Sequence, residues 1–406
     1  MDLPLSDFRK MAVQEFDTSK LLAHAAQQAR ERKYSEFPII DVDSHHYEGE
    51  SMGEILEYMD DPVIQQLARA AATGNSKGIG VLSAGGVGYQ DMGGRVSRYQ
   101  LRGIEKVDAG GKHRDIGLSK RWMDAMGIDI AILFPTPMLQ LGLHPQVEVE
   151  VALARAYNRW LCERILAHEP RLRSMLYLPF NDAEACYKIV KEFGDKKGVV
   201  GFMVTSARQR PVHHNSFMKT YALIEEMGLP LAFHAGYNWN DSSISMLNRF
   251  IAVHGLGFVI PNMIHMANWV MNGLCERFPK LKVIWIESGL AWLTFMIQRF
   301  DNEYMMRSSE APALKKLPSE YITSMYYTSQ PMEVPRDQGM LEATFRMIKA
   351  ETQLLYSSDY PHWDFDLPST IYDLPFLSEQ GKRNILGGNA VKLYNLDFGK
   401  KLAQVA

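Results

Sequence analysis

The sequence predicts an α/β protein built as a (β/α)8 TIM-like barrel, with an N-terminal helical arm and a long excursion after the first strand. Three observations predict it. Short apolar runs alternate with helix-period segments from about residue 121 onward. The runs are apolar throughout, as suits parallel strands covered on both faces. Four of them end in metal-competent side chains: Asp43 and His45 on the first, then His234, Glu287 and Asp359. A barrel gathers the C-terminal ends of its strands on one rim, so these five would converge.

The elements follow in order. Residues 1–35 read as a helical arm, of the kind that packs on another subunit, and the barrel spans 36–396. The first strand is expected at about 36–41, running into Asp41-Val42-Asp43-Ser44-His45-His46-Tyr47-Glu48. Side chains alternate along a strand, which puts Asp43 and His45 on one face. Taken alone, the stretch reads equally well as a turn. The insertion at about 49–120 is weakly patterned and glycine-rich, as in Ser76-Lys77-Gly78-Ile79-Gly80 and Ala84-Gly85-Gly86-Val87-Gly88. No strand leads into these glycines and no helix follows closely, so they are not a dinucleotide fingerprint. They read as a loop covering a site.

Strands are then expected at 128–134, 174–178, 199–204, 229–234, 282–287, 325–329 and 353–359. Helices are expected at 148–167, 182–194, 216–227, 262–278, 290–308, 337–349 and 378–395, and residues 397–406 form a tail.

Composition sets the class. A chain of 406 residues with 46% hydrophobic and 22% charged content can bury a large core. Its net charge of −3 and the lack of any basic block argue against a nucleic-acid partner. No apolar stretch reaches the length of a membrane span. The N-terminal stretch has no apolar h-region, which predicts no signal peptide and a cytoplasmic protein. Cys162, Cys186 and Cys275 lie far apart and read as reduced thiols.

Aspartate with neutral histidine suits Zn²⁺, Mn²⁺ or Fe²⁺, and the absence of thiolates argues against a closed structural zinc. Such an ion polarises a substrate oxygen or activates water or dioxygen. Aromatic residues crowd the same loops: Tyr47, Tyr237, Trp239, Trp269, Trp292, Tyr360 and Trp363. Arg95, Arg98, Arg102, Lys106 and His213-His214 are candidates for a substrate carboxylate, with solvated loop charge the plainer reading.

Several stretches resemble one known family. They are Met123-Asp124-Ala125-Met126-Gly127-Ile128-Asp129, Ala156-Tyr157-Asn158, Met227-Gly228-Leu229-Pro230-Leu231-Ala232-Phe233-His234, Glu276-Arg277-Phe278-Pro279-Lys280-Leu281-Lys282-Val283 and Ile385-Leu386-Gly387-Gly388-Asn389-Ala390. On these the chain resembles the amidohydrolase superfamily, in the amidohydrolase-related branch with aminocarboxymuconate-semialdehyde decarboxylase and resorcylate decarboxylases. The resemblance implies a barrel with Asp43, His45, His234 and Asp359 at the branch's metal-ligand positions. Asp43 stands where many relatives have His or Glu. It also implies a homodimer or larger assembly, or one formed with a paralogue.

One departure matters. The branch's decarboxylases carry a catalytic His-Gly-Gly after strand 6, and this chain has Glu287-Ser288-Gly289. A carboxylate that chelates cations replaces an imidazole that delivers protons. Surplus ligands are also present in His46, Glu48, His265 and His362. Glu287 with His265 or His362 is therefore expected to act in catalysis or to hold a second ion. That pattern resembles dinuclear non-haem iron or Mn/Fe monooxygenases of the superfamily, and it tilts the reading slightly toward O2-dependent hydroxylation of a small, carboxylate-bearing molecule. The alternative is a hydrolase or decarboxylase with one Zn or Mn ion. A third reading is a metal-poor subunit that stabilises a paralogue.

Overall fold

The computed structural model describes residues 18–72, 107–208, 210–236, 238, 241–362 and 364–398. Eight strands run parallel in the order β1 to β8: Ile40–His46, Ile130–Pro135, Leu172–Tyr177, Val199–Thr205, Leu231–His234, Val283–Ile286, Tyr326–Thr328 and Leu354–Leu355. The circle closes where the Val42 amide donates to Tyr356 O (2.9 Å) and the Asp359 amide to Asp43 O (2.7 Å). The (β/α)8 expectation is met.

The strands form because their apolar residues are buried on both faces. Phe233 on β5 stacks on Trp285 of β6 with ring centroids 4.6 Å apart, and the Trp269 indole packs edge-on against Phe233. Both tryptophans are buried. Such aromatic contacts bind the barrel wall to the helix layer.

Three sequence expectations shift. β1 starts later than expected and runs on through His46, because its polar residues are satisfied inside the fold. Ser44 Oγ donates to Ile132 O, and His46 lies between Asp115 Oδ2 (3.0 Å) and the Tyr157 hydroxyl (2.8 Å). A bulge between Asp41 and Ser44 adds one residue against β2 and re-aims the side chains around it. β8 is shorter than expected, since the amides of Ser357 and Ser358 bond the side chains of Ser329 and Asp41 in place of a backbone ladder, and Asp359 lies in the left-handed region (φ 58°).

The arm's described helix, Thr18–Glu31, packs on the chain's own helix Arg114–Met126, with Leu21 and Ala25 buried. The Arg32 guanidinium anchors it through two bonds to the Asp373 carboxylate (2.8 and 2.7 Å). The excursion is partly helical, at Met52–Glu57 and Pro62–Ala72. Its glycine-rich runs and Arg95, Arg98, Arg102 and Lys106 lie outside the described residues, as do Tyr237, Trp239 and Trp363. No disulfide joins the three cysteines. Among the described residues, no helix is long and apolar enough to cross a membrane.

Candidate metal centre

The rim of the barrel is set by what each strand end can satisfy. On β1 the bulged backbone brings Asp43 Oδ1 and His45 Nε2 to 3.2 Å, so the two share a face as alternation predicts. β5 delivers His234, whose Nε2 lies 3.2 Å from the same Asp43 oxygen. β6 ends in Glu287, with Oε2 3.6 Å from His234 Nδ1. The turn after β8 brings Asp359 Oδ1 to 3.4 Å from His45 Nε2. His362 follows, its Nδ1 2.7 Å from Asp359 Oδ1 and its ring stacked on His45 at 4.2 Å. All six are buried.

These side chains form two overlapping groups of ligand atoms, each within 4.8 Å: Asp43, His45, His234 and Glu287 in one, and His45, Asp359 and His362 in the other. Six of the seven predicted site residues are thus brought together. His265 is not. It sits on the helix Val259–Met271 with Nε2 donating to Ser206 O (2.9 Å), its ring alongside Phe233, outside both groups. His46 and Glu48 are also elsewhere. Glu48 is buried under the loop after β2, accepting from the amides of Thr136 (2.8 Å) and Met138 (2.6 Å).

The backbone fixes which nitrogen faces the centre. His45 Nδ1 donates to Pro135 O (2.8 Å) and His234 Nδ1 to Ala235 O (2.9 Å). A carbonyl only accepts, so each Nδ1 carries a proton and each Nε2 faces Asp43. Burial lowers the His45 pKa, against the pull of Asp43, and so favours the neutral form. Burial alone would raise Asp43, but His234 and His45 together hold it below the usual carboxylate range. Asp43 Oδ2 is buried with no hydrogen-bond donor. Three buried carboxylates, Asp43, Glu287 and Asp359, crowded at one rim repel one another unless cations join them. The donor set therefore fits a divalent metal within reach of Asp43, His45, His234 and Glu287, with Asp359 and His362 in the adjoining group that shares His45.

Sequence reasoning missed the supports. Thr136 Oγ1 is 3.3 Å from His362 Nε2 and 3.5 Å from His45 Nδ1. It directly follows β2, so the logic of strand ends could have found it. Asp41 accepts from both the amide (2.8 Å) and the hydroxyl (2.5 Å) of Ser358. Burial pushes its carboxyl up to about 8 while those donors pull it down. Thr328 Oγ1 accepts from the Glu287 amide (3.0 Å) and holds that residue at φ 60°.

The chain is 23% identical over 288 residues to a gamma-resorcylate decarboxylase from Polaromonas sp. strain JS666, covering 68% of this chain and 86% of that protein. It is 21% identical over 279 residues to a 2-amino-3-carboxymuconate-6-semialdehyde decarboxylase from Dictyostelium discoideum, covering 68% and 75%. The fold matches a 5-carboxyvanillate decarboxylase from Novosphingobium aromaticivorans, solved with manganese, at a TM-score of 0.65 and 19% identity over 89% of this chain and 96% of that one. These relatives are decarboxylases by name and one holds manganese, so they lend no support to the expected lean toward iron and oxygen chemistry. A sequence model of the amidohydrolase family matches residues 40–396, the whole barrel, and the chain belongs to that family.

Proposed function

We propose that the chain is a divalent-metal-dependent decarboxylase of a small aromatic carboxylate, working without dioxygen. The observation that carries this reading is the buried convergence of Asp43, His45, His234 and Glu287 at one rim, with Asp359 and His362 in the adjoining group that shares His45. The decarboxylase relatives support it. Manganese in one neighbour favours Mn²⁺ over other ions.

The metal, when bound, acts as a Lewis acid toward substrate oxygens. The protein residues do the rest. Loss of CO2 breaks a carbon–carbon bond and leaves its electron pair on the ring carbon, which must then take a proton. The family's histidine after β6 is Glu287 here, so proton delivery falls to another group. His362 suits it: Asp359 at 2.7 Å stabilises its protonated form, and Thr136 and the His45 ring fix its orientation. Glu287, pinned by Thr328, is placed to accept a hydrogen bond from a ring hydroxyl. Burial of the whole group keeps water away from the carbanion.

The test is CO2 release from a panel of hydroxybenzoates, 2,6-dihydroxybenzoate included, by Mn²⁺-loaded protein without oxygen. Oxygen consumption with no CO2 release would sink the reading. A second reading is kept because His45, Asp359 and His362 form a ligand group of their own. It is a two-metal hydroxylase, which requires two ions per chain and a reductant.

A further inference from the structure

The turn that leaves β2 is gripped by the stretch that ends β1. His45 Nδ1 donates to Pro135 O (2.8 Å). Glu48, three residues further on, is fully buried and accepts from the Thr136 amide at Oε2 (2.8 Å) and from the Met138 amide at Oε1 (2.6 Å). Both polar ends of the Pro135–Thr136 peptide are thus taken, one by His45 and the other by Glu48. Glu48 belongs to neither group of ligand atoms, and the mechanism above does not use it.

The same turn opens the short helix Pro137–Leu143, with Thr136 at its N-cap. A threonine in that place ordinarily turns its own hydroxyl back to accept from the second or third amide of the helix. Pro137 has no N–H, so the first amide in want of an acceptor is that of Met138. Glu48 takes that amide, and the Thr136 side chain makes no cap bond. Its Oγ1 lies instead 3.3 Å from His362 Nε2 and 3.5 Å from His45 Nδ1. The other ring nitrogen of His362 is the one that meets Asp359, at 2.7 Å. A ring held at one nitrogen can tilt about that bond, and a partner at the other fixes its plane. The hydroxyl has two possible duties, and Glu48 decides between them.

We propose that Glu48 is a positioning residue for the reaction: it caps the turn after β2 in place of Thr136 and so leaves the Thr136 hydroxyl to aim His362. The proposal rests on the reading of His362 as the proton carrier. Without the Glu48 carboxylate, the Met138 amide falls to the Thr136 hydroxyl, which then turns away from His362.

The test is kinetic and structural. Glu48→Ala, Thr136→Val and the double variant, each as the Mn²⁺-loaded full chain, are assayed for CO2 release and metal content, and the crystal structure of Glu48→Ala is solved. Each single variant is expected to lose kcat by roughly tenfold to a hundredfold, the cost of a misplaced group, with KM and metal content near wild type. The double variant is expected to fall no further than either single one, because both remove the same contact. In Glu48→Ala the Thr136 Oγ1 should lie within hydrogen-bond distance of the Met138 amide and away from His362 Nε2. Losses that multiply in the double variant overturn the proposal, as does a loss of metal in step with kcat or a hydroxyl still on His362. Wild-type protein that releases no CO2 defeats the decarboxylase reading instead, and the position of the Thr136 hydroxyl then decides this one alone. Should Glu48→Ala fail to fold, Glu48→Gln replaces it, since its side-chain oxygen accepts from one amide and its NH2 group from neither. Wild-type kcat in that variant overturns the proposal.

Discussion

Ser358 clasps Asp41 with both its amide and its hydroxyl, and so ties the segment after β8 to the start of β1. The neighbours on either side, Asp359 and Asp43, are joined in turn by an amide-to-carbonyl bond of 2.7 Å. The clasp sets the spacing between two of the proposed ligands. Ser358→Ala is therefore expected to weaken metal binding roughly tenfold to a hundredfold, as loss of an outer support does. Chelator competition measures it, and an unchanged affinity would show the clasp to be incidental.

His234→Ala and Asp359→Asn should each lose most of the bound metal, and activity with it, by elemental analysis of freshly purified protein. Glu287→Gln separates the one-ion and two-ion readings. With one ion, the metal content stays and turnover falls. Loss of a second equivalent would instead favour the two-metal reading.

His362→Asn keeps the shape of the turn after β8 but removes the proton carrier. Metal content should stay near wild type while kcat falls by roughly two to four orders of magnitude, the usual range for a lost general acid. KM should change little. A loss of metal in step with activity would make His362 a ligand.

Glu150 gives a pH dependence away from the metal. Burial raises its folded pKa from 4.5 to about 7, so the folded state holds a proton that the unfolded chain releases. The stability is fully present below about pH 4.5 and is lost as pH rises through about 7. The difference is on the order of 3 kcal/mol. Glu150→Gln should flatten that slope in urea melts taken from pH 5 to 8, and an unchanged slope would remove Glu150 as its source.

Gly289 holds φ 70° just after Glu287, and a Cβ there would run into Glu333 Oε1. That carboxylate accepts from the amides of Leu290 and Ala291 at the start of the helix Ala291–Arg307. Gly289→Ala should cost roughly 1–3 kcal/mol through backbone strain and displacement of this cap. Thermal melting reads the loss directly.

The barrel was legible because its strands are apolar on both faces, a pattern that needs no partner to be read. The candidate site was legible because a barrel's strand ends converge, so Asp43, His234, Glu287 and Asp359 could be placed together from widely spaced positions. His362 lies beside them. His265 and His46 show the limit. A histidine on a helix or an outward strand position looks the same in sequence whether it faces a metal or bonds a carbonyl, and only the three-dimensional neighbours decide. Likewise β1 hid its length, since Asp41, Ser44 and His46 are polar yet each is bonded within the fold.

Glu287 and Asp359 both sit in left-handed backbone that residues with a side chain seldom adopt, at φ 60° and 58°. Each such conformation costs on the order of 1–3 kcal/mol and lasts only while its surroundings enforce it. The two carboxylates facing the centre thus stand on strained backbone, which among the described non-glycine residues only Lys33, Lys349 and Asn395 share. Withdrawing the cation they face removes part of what enforces them. Amide exchange should then quicken first at 287–289 and 358–362, with β3 and β4 still protected. The rim would unravel on its own schedule, ahead of the barrel that carries it.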